Sequence, residues 1–367
     1  IYQYPKLSDL AAYIDAIREQ RAPAPAADPA LVTLKRGTDP TLPPMFMIAS
    51  AGGTLGAYEK LVKALGLKRE IIGVRDPFLW GERDATQGFW AWVARYIHAI
   101  QSRQPQGPYY ITAYSSAGAF GYEIARRLRC AGHEVALLAL IDPIAMDRAS
   151  KWRFGYWAIG ARFNRLPMTP VVRLAGWLRQ AVPRSLRGRA AHSPDWTPGR
   201  DQFPCFVEQV RNDAAHIQTV AALLQLGTGL PVALDASELA GCGPDGCVPV
   251  LVAKVLSVAP ETDPRTLENL VVQYQLQLRS HENYRLRPYD GHVVVFEAAG
   301  PYQGLVSAQL APYVRGLRAW SFDVGEPPAR ARAVAETLFW SIRMHYLCMR
   351  DDAFTTRLAR ELDALTS

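Results

Sequence analysis

Cysteine is scarce in this chain of 367 residues: there are five, an odd number, at positions 130, 205, 242, 247 and 348. A small fold stapled by disulfides needs a dense, even set, so that class is excluded. Cys242 and Cys247 in CGPDGC have neither the spacing nor the second pair of a zinc site, and the segment reads as a loop with room for a local bridge at most. No run of eighteen apolar residues occurs, and the opening IYQYPKLSDL lacks the positive region and apolar stretch of a secretory leader. These absences predict a cytoplasmic protein with no membrane partner. Acids are short as well, 34 Asp and Glu against 41 Lys and Arg, for a net charge of +7. Between Lys151 and Arg200 one acid, Asp195, stands among ten basic residues. Such a field suits an acidic or phosphate-bearing partner, and equally a solvated basic face. It holds no finger, RNP or helix-turn-helix signature, which argues against nucleic acid.

What is present fits a folded enzyme: 49% of the residues are hydrophobic and 20% charged, enough for a sizeable core. KLSDLAAYIDAIREQ places Leu7, Leu10, Ala11 and Ile14 at helical spacing behind Ser8 as a cap. RAPAPAADPA then reads as a semi-rigid linker of the kind found between domains, so a further domain is expected upstream. From residue 44 strands and helices alternate: MFMIA, EIIGVR, PYYITAY and EVALLALID as strands, GAYEKLVKALG, GFWAWVARYIHAIQ and AGAFGYEIARRLRCAG as helices. Short apolar runs separated by helices of ten or more residues predict a mostly parallel sheet with helices on both faces. The pattern breaks at 144–283, predicted to be a large helical insertion forming a lid, and returns with strand HVVVFEA, a helix at SAQLAPYVRGL, strand LFWSI and a last helix DDAFTTRLARELDAL. The expected division is therefore 1–20 as a tail helix, 21–43 as linker, and 44–367 as one domain with its core in 44–143 and 284–367.

YYITAYSSAGAFGYEIA runs from a strand straight into a helix with Ser115 at the junction. A serine on so tight a turn needs small neighbours two residues before and after it. Glycine is usual there; here they are Ala113 and Ala117. A serine pair capping a helix gives a similar pattern in isolation. A serine nucleophile also needs an imidazole to take its proton and a carboxylate to orient that imidazole. Asp142 follows the next strand and supplies the acid, although a loop acid before Pro143 is common in α/β proteins. Of the seven histidines, His98 and His133 lie at the flank of the core, and His192, His216 and His281 fall in the insertion. His292 opens a strand at its amino end, away from the site. His345 follows the last predicted strand and is the base, giving the chain order Ser, Asp, His.

These stretches resemble the thioesterase domains that end modular polyketide synthases, fatty-acid synthases and peptide synthetases. FMIASAGGTLGAYEKL is similar to the family's first strand and oxyanion loop, and YYITAYSSAGAFGYEIARRL to its elbow, with Gly118, Tyr122 and Glu123 in family positions. LLALIDP, PYDGHVVVFEA and MHYLCM with the closing helix also match, as does the 27-residue spacing from Ser115 to Asp142. Two alanines replace the elbow glycines, and no Gly-Asp precedes His345.

The resemblance implies an α/β-hydrolase fold and a Ser115, Asp142, His345 triad, with the backbone N–H groups of Ala51 and Ser116 as oxyanion hole. It implies no tightly bound cofactor and no metal. The substrate would be a polyketide acyl chain carried on the phosphopantetheine of an acyl carrier protein, whose last helix IYQYPKLSDLAAYI resembles. Release would follow by hydrolysis, cyclisation or transfer, and a homodimer is left open. Two other classes compete. ASAGGTLG after the first strand comes within one residue of a dinucleotide-binding loop, with Ala51 in the first glycine position and Asp76 about twenty residues on as a ribose-binding acid. A non-catalytic domain that docks a carrier or holds a product is the other.

Overall fold

The computed structural model describes residues 28–50, 53, 55–76, 89–143, 246–280, 284–298, 304–322 and 348–366, with scattered positions between 217 and 242. Seven strands form one sheet in the order β1-β3-β2-β4-β5-β6-β7. They are β1 (Leu31–Lys35), β2 (Met45–Ile48), β3 (Ile71–Val74), β4 (Tyr109–Tyr114), β5 (Val135–Ile141), β6 (Tyr289–Ala298) and β7 (Val314–Phe322). β1 runs antiparallel to β3, and every other pairing is parallel. The helices are α1 (Glu59–Ala64), α2 (Phe89–Arg103), α3 (Ala117–Cys130), α4 (Val248–Val258), α5 (Pro264–Ser280), α6 (Leu305–Leu310) and α7 (Asp352–Thr366), with a short turn of helix at Ala236–Leu239.

Side chains alternate across a strand, and the central strands are apolar on both faces because both are covered. Phe46 and Ile48 enter a cluster with Phe89, Trp92, Phe120 and Ile124 of α2 and α3. Met45 and Met47 enter a second cluster with Leu61 of α1 and Phe354, Leu358 and Leu362 of α7. All four β2 side chains are fully buried, each worth about 1.5–3 kcal/mol relative to exposure. Two covered faces are the physical reason for the parallel arrangement, and the architecture is the mostly parallel α/β sheet expected.

Two segments differ from the sequence reading. β1 lies inside 21–43, read as a linker; its backbone pairs with β3 from Leu31↔Val74 to Lys35↔Ile71, so sheet structure begins before residue 44. The segment read as a helix at SAQLAPYVRGL is helical only to Leu310; after a 3-10 turn at Ala311–Tyr313 the chain becomes β7, parallel to β6 over its whole length. Pairing with β6 outweighs the local helical preference of Leu317 and Arg318, and Trp320 and Phe322 suit the strand's end. The predicted strand LFWSI and the N-terminal helix lie outside the described residues.

The insertion contributes to the core as well as covering it: Leu251 and Val255 of α4 and Val271 and Val272 of α5 belong to the same cluster as α2 and α3. Cys242 and Cys247 are bridged there, their Cα atoms 5.2 Å apart. Among the described residues no helix is long and apolar enough to cross a membrane.

Candidate active site

β4 and β5 are neighbours, and the turns after them bring two sequence-predicted residues to one edge of the sheet. Ser115 follows β4 directly and adopts φ +60°, the left-handed region that a side chain enters only at a cost. It is held there from both sides: its N–H donates to the Ile141 carbonyl at 3.0 Å, and its carbonyl accepts from Gly118 N–H at 3.0 Å. Ser116 caps α3, so its N–H is among those at a helix start, where negative charge is favoured. Ala113 and Ala117 are fully buried, as the tight turn requires. The Ala113 methyl faces Gly121 of α3, where an added Cβ would stand 2.7 Å away. Small residues therefore act in series here, and α3 can lie close on β4 while Ser115 stays at its edge.

Asp142 ends β5 with φ +39°. Its N–H bonds the Phe296 carbonyl at 2.6 Å, and its Oδ1 accepts from Ala298 N–H at 3.1 Å, both on β6. The carboxylate is thus fixed at the carboxyl end of the sheet, on the side where Ser115 emerges. Glu297 lies between those two β6 contacts and accepts from Gly304 N–H at 2.8 Å and Ser307 N–H at 3.2 Å. Burial raises its pKa above the ordinary carboxylate value; those N–H groups oppose the shift and the nearby Asp142 charge adds to it. Cys348, three residues beyond His345, is fully buried, and burial with the Asp142 charge pushes its thiol well up.

His345 and Ala51 lie outside the described residues. His292 is exposed on the amino half of β6, six residues before Ala298 and so about 20 Å along the strand from the Asp142 contact. His98 is exposed on α2, and His133, after α3, has its Nε2 3.2 Å from Gln101 Nε2. None of these three belongs to the edge that holds Ser115 and Asp142.

Asp76 is fully buried; the Tyr96 hydroxyl lies 3.4 Å from its Oδ2 and the Gln273 side-chain amide donates to the same oxygen. A carboxylate so enclosed does not offer itself to a ribose. The helix after the glycine-rich loop also begins only at Glu59, behind a 3-10 turn at Gly56–Tyr58, with an acid in its first turn. A phosphate at that helix start would meet like charge. Among the described residues no group of three or more His, Cys, Asp or Glu could hold a metal.

One residue absent from the sequence reading is Tyr58. Its ring is fully buried; its hydroxyl accepts from Tyr114 N–H and donates to the Ile48 carbonyl, each at 2.8 Å. Burial raises the phenol pKa far above its ordinary value, so the hydroxyl keeps the proton that lets it do both. Nothing in the sequence around Tyr58 announces this.

Residues 43–154 match the family model of the thioesterase domain. The chain is 38% identical over 101 residues to the non-reducing polyketide synthase atnG of Arthrinium sp., a match covering 27% of this chain and 5% of the synthase. It is 32% identical over 157 residues to the atromentin synthetase of Tapinella panuoides, covering 40% of this chain and 15% of that one. Both relatives are many times longer than the part matched. A four-domain nonribosomal peptide synthetase, solved with AMP and glycine, shares the fold with a TM-score of 0.61 at 19% identity, over 99% of this chain and 22% of that one. Residues 43–154 are thus similar to thioesterase domains, and parts of the chain are similar to stretches of a polyketide synthase and of an atromentin synthetase.

Proposed function

We propose that this domain releases an acyl chain from an assembly line, with Ser115 as nucleophile, His345 as base and Asp142 as acid. The observation that carries the reading is the strained turn at Ser115 (φ +60°) beside an Asp142 carboxylate anchored on β6. Strain held in place by surrounding bonds is characteristic of functional turns. The buried Cys348 thiol feels the Asp142 charge, and His345 stands three residues before Cys348 in the sequence.

The substrate is a polyketide-type acyl thioester on the phosphopantetheine of an upstream acyl carrier protein. Ser115 Oγ attacks the thioester carbonyl carbon while the imidazole takes the hydroxyl proton. The negative charge that forms on the carbonyl oxygen is met by the N–H groups of Ser116 and Ala51; losing one such donor typically costs about 3–4 kcal/mol of transition-state stabilisation. The C–S bond breaks, the proton passes to the departing thiolate, and an acyl ester remains on Ser115. The base then draws a proton from water or a substrate hydroxyl, whose oxygen attacks the ester carbonyl carbon. The acyl–Oγ bond breaks, Ser115 Oγ takes the proton back, and a free acid, lactone or ester leaves.

Intact mass spectrometry of the domain incubated with an acyl pantetheine thioester tests this. The wild type should gain one acyl mass on the peptide containing Ser115, and Ser115→Ala should gain none and lose turnover by at least about 10³-fold. Full turnover in that variant would rule out the assignment, and a wild type that binds carriers without ever acylating would favour a docking role.

A further inference from the structure

Asp142 is tied to the sheet through the end of β6, and Glu297 fastens that end. β5 and β6 pair from Ala139↔Val294 to Ile141↔Phe296, where the ladder stops. Just beyond the last pair Asp142 enters the left-handed region at φ +39°, a conformation that persists only where surrounding bonds enforce it. Two bonds with β6 do so: Asp142 N–H donates to the Phe296 carbonyl at 2.6 Å, and Ala298 N–H donates to Asp142 Oδ1 at 3.1 Å. Backbone groups alternate sides along a strand, so Phe296 and Ala298 turn theirs toward Asp142 while Glu297, between them, turns its own toward β7. Glu297 is buried, and each of its carboxylate oxygens accepts a separate N–H: Oε2 from Gly304 at 2.8 Å and Oε1 from Ser307 at 3.2 Å. Those donors stand at the cap and in the first turn of α6. β6 is thus fastened to α6 at the residue that separates the two Asp142 contacts.

We propose that Glu297 is a positioning residue of the acyl-transfer centre: its doubly bonded carboxylate fixes the end of β6 and, through Phe296 and Ala298, sets the orientation of the Asp142 carboxylate. This rests on the reading of Asp142 as the acid of the triad. An acid in that role holds its imidazole in one tautomer and one direction, so its own orientation enters the rate. Both Glu297 oxygens are needed, because each takes a different backbone N–H. A glutamine offers one carbonyl oxygen and sets an NH2 group against the other donor. One of the two ties between β6 and α6 would then be lost, and the Ala298 N–H would move with the strand end. Misplacement by about 1 Å can cost on the order of 100-fold in rate.

The test is a double-mutant cycle on the full chain with an acyl pantetheine thioester, pairing Glu297→Gln with Asp142→Ala, rates being referred to folded enzyme by near-UV circular dichroism. Glu297→Gln alone is expected to lower kcat by about 10- to 100-fold with KM unchanged. Asp142→Ala alone is expected to lower it by about 10⁴-fold. Added to Asp142→Ala, Glu297→Gln is expected to remove no more than about a further threefold, since a residue that acts through Asp142 has nothing to position once that carboxylate is gone. A general loosening of the fold would instead multiply the two losses. Glu297→Asp keeps the charge but is too short to reach both N–H groups. It is expected to lose at least about threefold in kcat by itself and to be silent beside Asp142→Ala, and it decides the outcome if the glutamine variant does not fold. A Glu297→Gln rate within about twofold of wild type, or losses that multiply in the double variant, would overturn the proposal. A wild type that is never acylated at Ser115, or an Asp142→Ala variant with full turnover, would overturn the underlying assignment instead.

Discussion

Ala113 and Gly121 meet where α3 crosses β4, and their sizes determine how closely the helix can approach the turn that carries Ser115. A Cβ at position 121 would stand 2.7 Å from the Ala113 methyl, with Ile111 and Leu140 at 3.8 Å behind it. Neither methyl can rotate away, because both are fixed by backbone. Gly121→Val should therefore cost about 1–3 kcal/mol through overpacking, seen as a lower urea midpoint, together with a loss of turnover as α3 is pushed from β4; an unchanged midpoint would show that the two elements part freely. The same crowding explains how much of the site was readable at this scale. The placement of Ser115 on a strand-to-helix turn and of Asp142 after a strand end was legible because such places impose small or polar residues locally. Tyr58 was not, since its hydroxyl acts on backbone groups 10 and 56 residues away, and a tyrosine in an apolar segment reads as core.

Elements show a second limit of the sequence signal. Strands of β2, β4 and β5 were readable because both faces are covered, which demands continuous apolar runs. β1 was not: Leu34 is the one fully buried side chain in it, and the strand exists because its backbone pairs with β3. β7 was misread for a related reason, its polar and apolar residues being sorted by the β6 partner and not by its own propensity. Glu297, near the end of β6, joins that strand to α6 by accepting from Gly304 and Ser307 N–H. Its pKa is raised by burial above the model-peptide value of 4.5. The sign follows: as pH rises from that value through the raised one, the folded state gives up a proton it holds better than the unfolded chain, so this group's contribution to stability falls with pH. Glu297→Gln cannot ionise. Urea midpoints of the two proteins should therefore shift in favour of the variant as pH rises above the ordinary value of 4.5 and level off above the raised pKa, whereas a difference independent of pH would show that the carboxylate ionises without penalty.

At the scale of the whole molecule, the insertion determines whether the domain unfolds as one body. The sequence marks 144–283 only as a break in the alternation, because periodicity reports the face a helix buries and not the element that it buries it against. The structure joins α4 and α5 to the same cluster as α2 and α3, and adds a polar tie: Gln273 of α5 donates to Asp76, which also faces the Tyr96 hydroxyl of α2 at 3.4 Å. Asp76 and Gln273 are both fully buried, so the bond is shielded from water, worth about 0.5–1.5 kcal/mol. If insertion and sheet form one cooperative unit, Gln273→Leu weakens both together. Far-UV and near-UV circular dichroism should then report the same single transition, lowered by that amount in each. If α5 instead comes away by itself, near-UV dichroism will show an early transition while the far-UV midpoint of the sheet stays where it was. That outcome would make the insertion a separable cover, whereas the shared apolar cluster and the buried Asp76–Gln273 bond predict a single coincident transition.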